Sequence, residues 1–88
     1  MPQNDNLVHV VVRSRQGLVF EGNVTAISSY NKIGLFDVLA KHANFVSMIK
    51  DRLILRKIDG KRLDISLETG VIMVQENNVQ VFLGVGKI

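Results

Sequence analysis

Few side chains in this sequence could carry out chemistry, and their spacing matches no catalytic or metal-binding pattern. His9 and His42 stand far apart, cysteine is absent, and no His-x-x-x-His pair occurs. The five serines lack the context of an activated nucleophile. The sequence Gly84-Val85-Gly86 ends the chain with no room for the helix that a phosphate-binding glycine loop precedes. We therefore predict no catalytic residue, no metal, no cofactor and no enzymatic activity.

The acidic residues support the same prediction. Most of them fall at expected turns or on outward strand positions, where solvated carboxylates are common. They are Asp5, Glu21, Asp37, Asp51, Asp59, Asp64, Glu68 and Glu76. His9 reads as an ordinary strand residue. His42 is better suited to holding an irregular segment by hydrogen bonds, or to an interface contact, than to acting as a general base. What remains for such a chain is binding.

Length and composition indicate one small domain. The chain has 88 residues, 47% of them apolar, and the absence of cysteine excludes disulfides. No apolar run approaches the ~20 residues of a transmembrane helix, and the first residues lack the order of a signal peptide. We therefore expect a soluble chain on the cytoplasmic side that does not itself span a membrane.

The net charge of +3 is concentrated between Lys50 and Arg62, where basic and aliphatic residues alternate. This pattern is typical of the solvated face of a hairpin. Nucleic-acid binding is disfavoured, because stacking surfaces need exposed aromatic residues and the chain has only four Phe and one Tyr.

The strand pattern is strong along most of the chain. Asp59-Gly60 and Glu76-Asn77-Asn78 each separate two apolar-rich runs and predict hairpins. Val8, Val10 and Val12 alternate, as expected for one face of a strand. Predicted strands are Leu7–Arg13, Leu18–Phe20, Val24–Tyr30, Phe45–Ile49, Arg52–Ile58, Lys61–Leu67, Val71–Gln75 and Val79–Leu83.

The segment from Phe36 to Lys50 is open to two interpretations. Apolar residues at positions 36, 39, 43 and 46 have helical spacing, and neither proline nor glycine interrupts them. The alternative is an irregular crossing that leads into a short strand. We predict an all-β fold, a small antiparallel β-sandwich of about 8–10 short strands, with a possible short helical turn near residues 37–44. Its parts would be a flexible N-terminus (1–6), the sandwich (7–85) and a tail (86–88).

Three segments of the chain, in a fixed order, form a pattern. The first has the form Gly-x-x-Phe-x-Gly and is followed by a Val-x-x-Ile strand. The second is the crossing near His42, and the third is the pair of strands that ends the domain. The residues that carry the pattern are Gly17, Phe20, Gly22, Val24, Ile27, Gly34, Phe36, Val38, Leu39, His42, Ala43, Gly70, Val74, Asn78, Val79 and Val81. Together these segments resemble the amino-terminal β-sandwich of the epsilon subunit of F-type ATP synthases.

The chain departs from the family pattern in the crossing. Asp37 stands at a family glycine, and Ala40 and Asn44 stand at family prolines. Leu35 occupies a position that is often acidic in the family, so the resemblance implies a more apolar ring contact here. The family's helical hairpin of about 45 residues would begin where this sequence stops. We therefore expect neither inhibition nor nucleotide binding through that hairpin.

The resemblance implies a non-catalytic rotor subunit of the central stalk. Its partners would be the gamma shaft and the membrane ring of c subunits, on the cytoplasmic face of the cell membrane, in a synthase driven by protons or sodium. The gamma contact would involve Phe36, Asp37, His42, Asn44 and Phe45. The ring contact would involve Ser14, Arg15, Leu18, Val19, Ile33, Gly34 and Leu35.

A second interpretation stays open, a β-sandwich adaptor or homodimer joined through an exposed sheet edge. The position of exposed apolar surface discriminates between the two. An adaptor would expose an edge, whereas a rotor subunit would expose a loop tip and one face. If Phe36 and Phe45 only pack in the core, or the aliphatic residues of the ring set are buried, the corresponding contact loses its support.

Overall fold

The computed structural model describes residues 6–41 and 43–84, and these residues form six β-strands and no helix. The strands are β1 (Val8–Ser14), β2 (Gly17–Tyr30), β3 (Leu35–Leu39), β4 (Phe45–Lys57), β5 (Arg62–Gln75) and β6 (Asn78–Leu83). The all-β prediction is confirmed. His42, Val85 and Gly86 lie outside the described residues, as does nearly all of the predicted flexible N-terminus.

The strands form one sheet that closes on itself. Its order is β1-β6-β5-β4-β2-β3, and β1 also pairs with β2, so that a flattened barrel results. All pairings are antiparallel except that of β1 with β6, which is parallel. The sequence had predicted a wholly antiparallel sandwich, and the parallel pairing of β1 with β6 corrects that prediction.

Three long strands replace six of the predicted short ones. Residues 17–24 of β2 pair with β1, whereas residues 24–30 pair with β3 and β4. Likewise β4 and β5 pair with each other along their length, with a register shift between Ile49 and Asp51. Asp51 has a φ of 71° at this bulge. Bulges bend strands and increase their twist, which lets one strand serve both layers of the sandwich.

Alternating apolar residues build the core between the layers. The buried cluster includes Val8, Val10 and Val12 of β1, which confirms the predicted face of that strand. Leu63, Ile65 and Leu67 of β5 pack against the cluster, while the residues between them are exposed. Burial of one strand face in each layer is what stabilises a sandwich of this size.

The segment that follows Gly34 is a strand. Residues 35–39 form β3, paired with β2 through Ile27 and Val38, and β4 begins at Phe45. The predicted helical turn near residues 37–44 is therefore wrong for the residues described, and the alternative of a crossing followed by a strand is confirmed. Lys41 has a φ of 64°, a left-handed conformation that a right-handed helix cannot contain.

Both predicted hairpins are present. Between β4 and β5, the N–H of Gly60 donates to the carbonyl oxygen of Lys57 (3.1 Å) and Gly60 has a φ of 87°. The N–H of Lys57 donates to Lys61 across the base of the turn (2.8 Å). This is a turn followed by a left-handed glycine, so only Gly60 and not Asp59 needs positive φ.

Candidate surface for protein docking

The turn between β2 and β3 is rigid and projects an apolar side chain. The backbone N–H of Asn31 donates to the carbonyl oxygen of Gly34 (3.0 Å), and the N–H of Gly34 donates back to Asn31 (3.1 Å). The Asn31 side-chain oxygen also accepts from the N–H of Ile33 (2.9 Å). Ile33 is 96% exposed and Leu35, which follows the turn, is 61% exposed. An exposed aliphatic pair on a fixed turn is unusual unless something covers it.

The turn between β1 and β2 carries the other predicted ring residues. Ser14 ends β1, its hydroxyl oxygen accepts from the N–H of Gln16 (3.2 Å), and Gly17 opens β2 with a φ of 126°. Leu18 and Val19 are both exposed, and Arg15 lies in the turn itself. The aliphatic side chains that a ring contact needs are thus accessible in both turns. The two turns stand at the two ends of β2.

The predicted gamma residues divide into packing and polar contacts. The rings of Phe36 and Phe45 meet edge to face with centroids 5.8 Å apart, and both pack against the core. The Asp37 carboxylate accepts from the Ser28 hydroxyl at 2.5 Å. Phe36 and Phe45 therefore join β3 to the start of β4, and they offer only part of their surface to a partner. His42 lies outside the described residues.

Two asparagines fasten the crossing to the turn between β5 and β6. The Asn77 side-chain oxygen accepts from the N–H of Lys41, and the Asn44 side-chain oxygen accepts from the N–H of Glu76, both at 2.7 Å. Lys41 and Glu76 both have positive φ. The paired hydrogen bonds explain how a segment without regular structure keeps its place at the end of the sandwich.

An outer apolar face on β4 and β5 was not predicted. Val46 and Met48 of β4 point away from the core and are 64% and 50% exposed. Met73 of β5, paired directly with Val46, is also exposed. We call Val46, Met48 and Met73 the outer face. The signal in the sequence was apolar character at residues 45–49, interrupted only by Ser47, and at residues 71–74. An ordinary half-buried strand would alternate apolar with polar residues.

The outer face adjoins the turn between β2 and β3. The Asn31 side-chain nitrogen donates to the Ser47 hydroxyl oxygen at 3.4 Å. A shallow cleft between the two elements is lined by Ile33, Val46 and Met48 together with polar neighbours. The turn and the outer face therefore form one apolar surface rather than two unrelated exposed patches.

Charged and polar side chains pair across strands elsewhere on the sheet. Arg52 and Asp64 form an ion pair on neighbouring strands, with the Arg52 Nε to Asp64 Oδ1 distance at 3.1 Å. Hydrogen bonding to Arg52 lowers the pKa of Asp64, and hydrogen bonding to Asp64 raises the pKa of Arg52. His9 of β1 places one ring nitrogen 3.1 Å from the Asn23 oxygen and the other 3.3 Å from a Glu21 oxygen. His9 is thus a cross-strand polar contact.

Within residues 6–41 and 43–84, the structure contains no group of three or more His, Cys, Asp or Glu side chains placed to hold a metal ion. The same residues include no helix of the length and hydrophobicity required to cross a bilayer. What the described surface does offer is apolar area on rigid turns and on one sheet face. The fold and surface define the class of protein as a small β-sandwich with exposed apolar turns and one exposed apolar sheet face.

The comparison with known families then assigns the chain. Residues 7–84 match the family described as "ATP synthase, Delta/Epsilon chain, beta-sandwich domain", and the chain belongs to it. It is 36% identical over 63 residues to an ATP synthase epsilon chain of Nitratiruptor, covering 70% of this chain and 49% of that one. It is 27% identical over 79 residues to an epsilon chain of Campylobacter fetus, covering 89% and 61% of the two chains.

Solved structures support the fold. A chain of the Euglena gracilis mitochondrial ATP synthase, in a structure of OSCP, F1 and the c-ring, superposes with a TM-score of 0.84 at 18% identity and covers 93% of this chain and 53% of that chain. A chain of the Tetrahymena thermophila central stalk and c-ring gives a TM-score of 0.71 at 13% identity, with coverage of 86% and 62%. This chain thus spans about half to three-fifths of the length of these relatives.

Proposed function

We propose that this chain forms the β-sandwich of an F-type ATP synthase epsilon subunit, and that it couples the gamma shaft to the membrane rotor ring. Ion-driven rotation, by protons or sodium, would pass through it to ATP synthesis without any reaction at the chain itself. Its place would be the cytoplasmic face of the cell membrane, as a peripheral part of the complex. The observation that carries the proposal is the continuous apolar surface on a domain of this family.

The ring contact is assigned to the two turns. Ile33 and Leu35 supply its apolar centre, because both are exposed and the Asn31 bonds hold the turn that presents them. The turn between β1 and β2 would supply Ser14, Arg15, Leu18 and Val19, which requires that β2, whose pairing partners change at Val24, brings its two ends to the same side of the domain. A leucine where the family often has an acid makes this contact apolar, so binding to the ring would depend little on salt concentration.

The gamma contact is assigned to the outer face and the neighbouring crossing. Asp37, His42 and Asn44 would contribute polar contacts at its rim, with the partly exposed edges of Phe36 and Phe45. Val46, Met48 and Met73 give the face the apolar centre that the sequence prediction lacked. Stable interfaces bury on the order of 800 Å² on each partner, which a face and an adjoining turn of a small domain can supply.

The test is calorimetric titration of this chain with the gamma subunit from the same organism. We expect a one-to-one complex with a Kd in the micromolar range or below. Val46→Glu should weaken binding at least tenfold, because it buries a charge at the centre of the contact. Ile58→Glu, a matched change of an exposed aliphatic residue on the distant hairpin, should leave binding unchanged.

Absence of binding to gamma that is shown to be folded would contradict the proposal. It would favour the adaptor or homodimer interpretation, in which the chain is joined to its partner through an exposed sheet edge. Sedimentation of the isolated chain separates an adaptor from a homodimer, since a homodimer would double the mass.

A further inference from the structure

The hairpin between β4 and β5 carries more positive charge than the residues around it neutralise. Four cations lie within seven residues, namely Arg56, Lys57, Lys61 and Arg62. Both ion pairs of the described residues involve other side chains, His9 with Glu21 and Arg52 with Asp64. The carboxylate of the turn, Asp59, accepts from the backbone N–H of Lys61 at 2.9 Å and so helps to form the turn itself.

The two arginines of this hairpin stand directly opposite each other. Arg56 pairs with Arg62 across the two strands, and both are exposed. Like charges in register destabilise a sheet, and the carboxylate of Asp64, two residues from Arg62 on β5, is already engaged by Arg52. A local arrangement that costs stability without a structural reason is the kind expected at a functional site.

The hairpin points away from the apolar turn. In the pairing of β2 with β4, Val24 lies opposite Lys57 and Tyr30 lies opposite Lys50. The hairpin and the turn at Ile33 therefore occupy opposite ends of this part of the sheet, about 20 Å apart at the rise of an extended strand. If the turn meets the membrane ring, as the proposed function has it, the hairpin faces away from the lipid.

We propose that the end of this hairpin, residues 56–62, binds an acidic segment of another protein. The guanidinium groups of Arg56 and Arg62 would each bind a carboxylate. A planar guanidinium suits this role, because it can donate two parallel hydrogen bonds to one carboxylate. Lys57 and Lys61 would extend the positive field and speed the encounter. The choice of a protein and not a lipid as the partner of the hairpin rests on the proposed function, whereas the arrangement of charges on the hairpin does not.

The probe is a fluorescein-labelled twelve-residue peptide rich in glutamate, titrated with the full chain and followed by fluorescence anisotropy. We expect binding that weakens about tenfold or more between 50 and 200 mM salt. Arg56→Gln/Arg62→Gln should weaken binding at least tenfold. Arg13→Gln/Lys50→Gln removes the same charge from exposed positions elsewhere and should change binding less than twofold.

The melting temperature provides a second readout. Relief of the like-charge pair should raise the Tm of the Arg56→Gln/Arg62→Gln variant by about 1–5 °C, whereas the control pair should not raise it. A variant that melts higher yet binds less has lost a binding surface and not its fold.

Three outcomes would overturn the inference. They are no peptide binding by the wild-type chain, equal losses for the two double variants, and hairpin-dependent binding to phosphatidylserine vesicles in place of the peptide. Because neither gamma nor the ring is present in this experiment, its result is separate from that of the gamma titration. Gamma binding without peptide binding would leave the proposed function intact and remove only this inference.

Discussion

The two asparagines at the end of the sandwich show how single side chains hold an irregular segment. Asn77 and Asn44 each satisfy a backbone N–H of the other segment. Asn77→Ala should cost about 1 kcal/mol and should speed hydrogen exchange at the amide of Lys41. Asn77→Asp keeps the acceptor oxygen and should preserve most of the protection. Hydrogen exchange measured by NMR checks both, and unchanged exchange at Lys41 in the alanine variant would contradict the assignment.

The ion pair of Asp64 with Arg52 makes one contribution to stability depend on pH. Because the folded pKa of Asp64 lies below its usual value, the contribution is present in full above the ordinary carboxyl pKa, near 3.9. It is lost as the pH falls through the lower folded pKa. Asp64→Asn should therefore be less stable than wild type at neutral pH, with the difference shrinking toward pH 2.

Chemical denaturation at a series of pH values measures that difference. Asp51→Asn is the matched control, since it removes a carboxylate that takes part in neither ion pair of the described residues. A gap between Asp64→Asn and wild type that stays constant from pH 7 to pH 2 would show that the pair does not act through its charge.

At the scale of the strands, one position of β5 is a glycine with no room for a side chain. A Cβ at Gly70 would lie 2.8 Å from the carbonyl oxygen of Phe82, and within 3.3 Å of Leu67 and Ile49. The first neighbour is backbone and cannot move without disturbing the pairing with β6. Gly70→Ala should therefore destabilise the domain by about 1–3 kcal/mol and lower its Tm by about 4 °C or more.

Gly22→Ala is the control for this prediction. A Cβ there would meet only the Phe20 ring at an ordinary 3.4 Å, and the backbone of Gly22 is not in the left-handed region. Calorimetric melting of both variants compares them directly. Equal losses of stability in the two variants would mean that the close approach at Gly70 does not set the cost.

Sequence patterns predicted the strands well where one face is buried and the other wet. The clean alternation from Arg62 to Leu67 and the Asp59-Gly60 turn both proved correct. Patterns could not show that short runs join into long strands, because a bulge such as that at Asp51 needs no glycine or proline to mark it. They also left the start of β3 open, since two short strands in succession can imitate helical spacing.

The docking surface was predicted only in part, for a related reason. The exposed turn residues could be named because glycines and the family resemblance mark the turns. The sequence could not distinguish Val46, Met48 and Met73 from core residues. A strand that is apolar on both faces has the same sequence pattern whether its second face is covered by its own chain or by another protein. The structure distinguishes the two cases, because Val46 and Met73 pair on a face that no other part of the described chain covers.

At the scale of the whole molecule, the two proposed contacts should be separable although they adjoin. Ile33→Asp places a charge on the turn, whereas Val46→Glu places one on the outer face. In the assembled synthase, Ile33→Asp should reduce retention of the membrane ring while the isolated chain still binds gamma. Val46→Glu should weaken gamma binding by the isolated chain and should leave the contact with the ring intact. Each change puts an unpaired charge into an apolar contact, so a loss of tenfold or more is expected at the contact it touches.

Ile58→Asp is the control for both, because it introduces the same charge at an exposed aliphatic residue on the far hairpin. It should leave both the ring and gamma contacts unchanged. If Ile33→Asp and Val46→Glu each weakened both contacts equally, the turn and the outer face would belong to one interface with one partner. A coupling domain needs two interfaces, since torque can pass from shaft to ring only through a body that is bound to both partners. The stiffness of a closed sheet, with the Asn31 bonds fixing the turn, is what fits this small sandwich to that task.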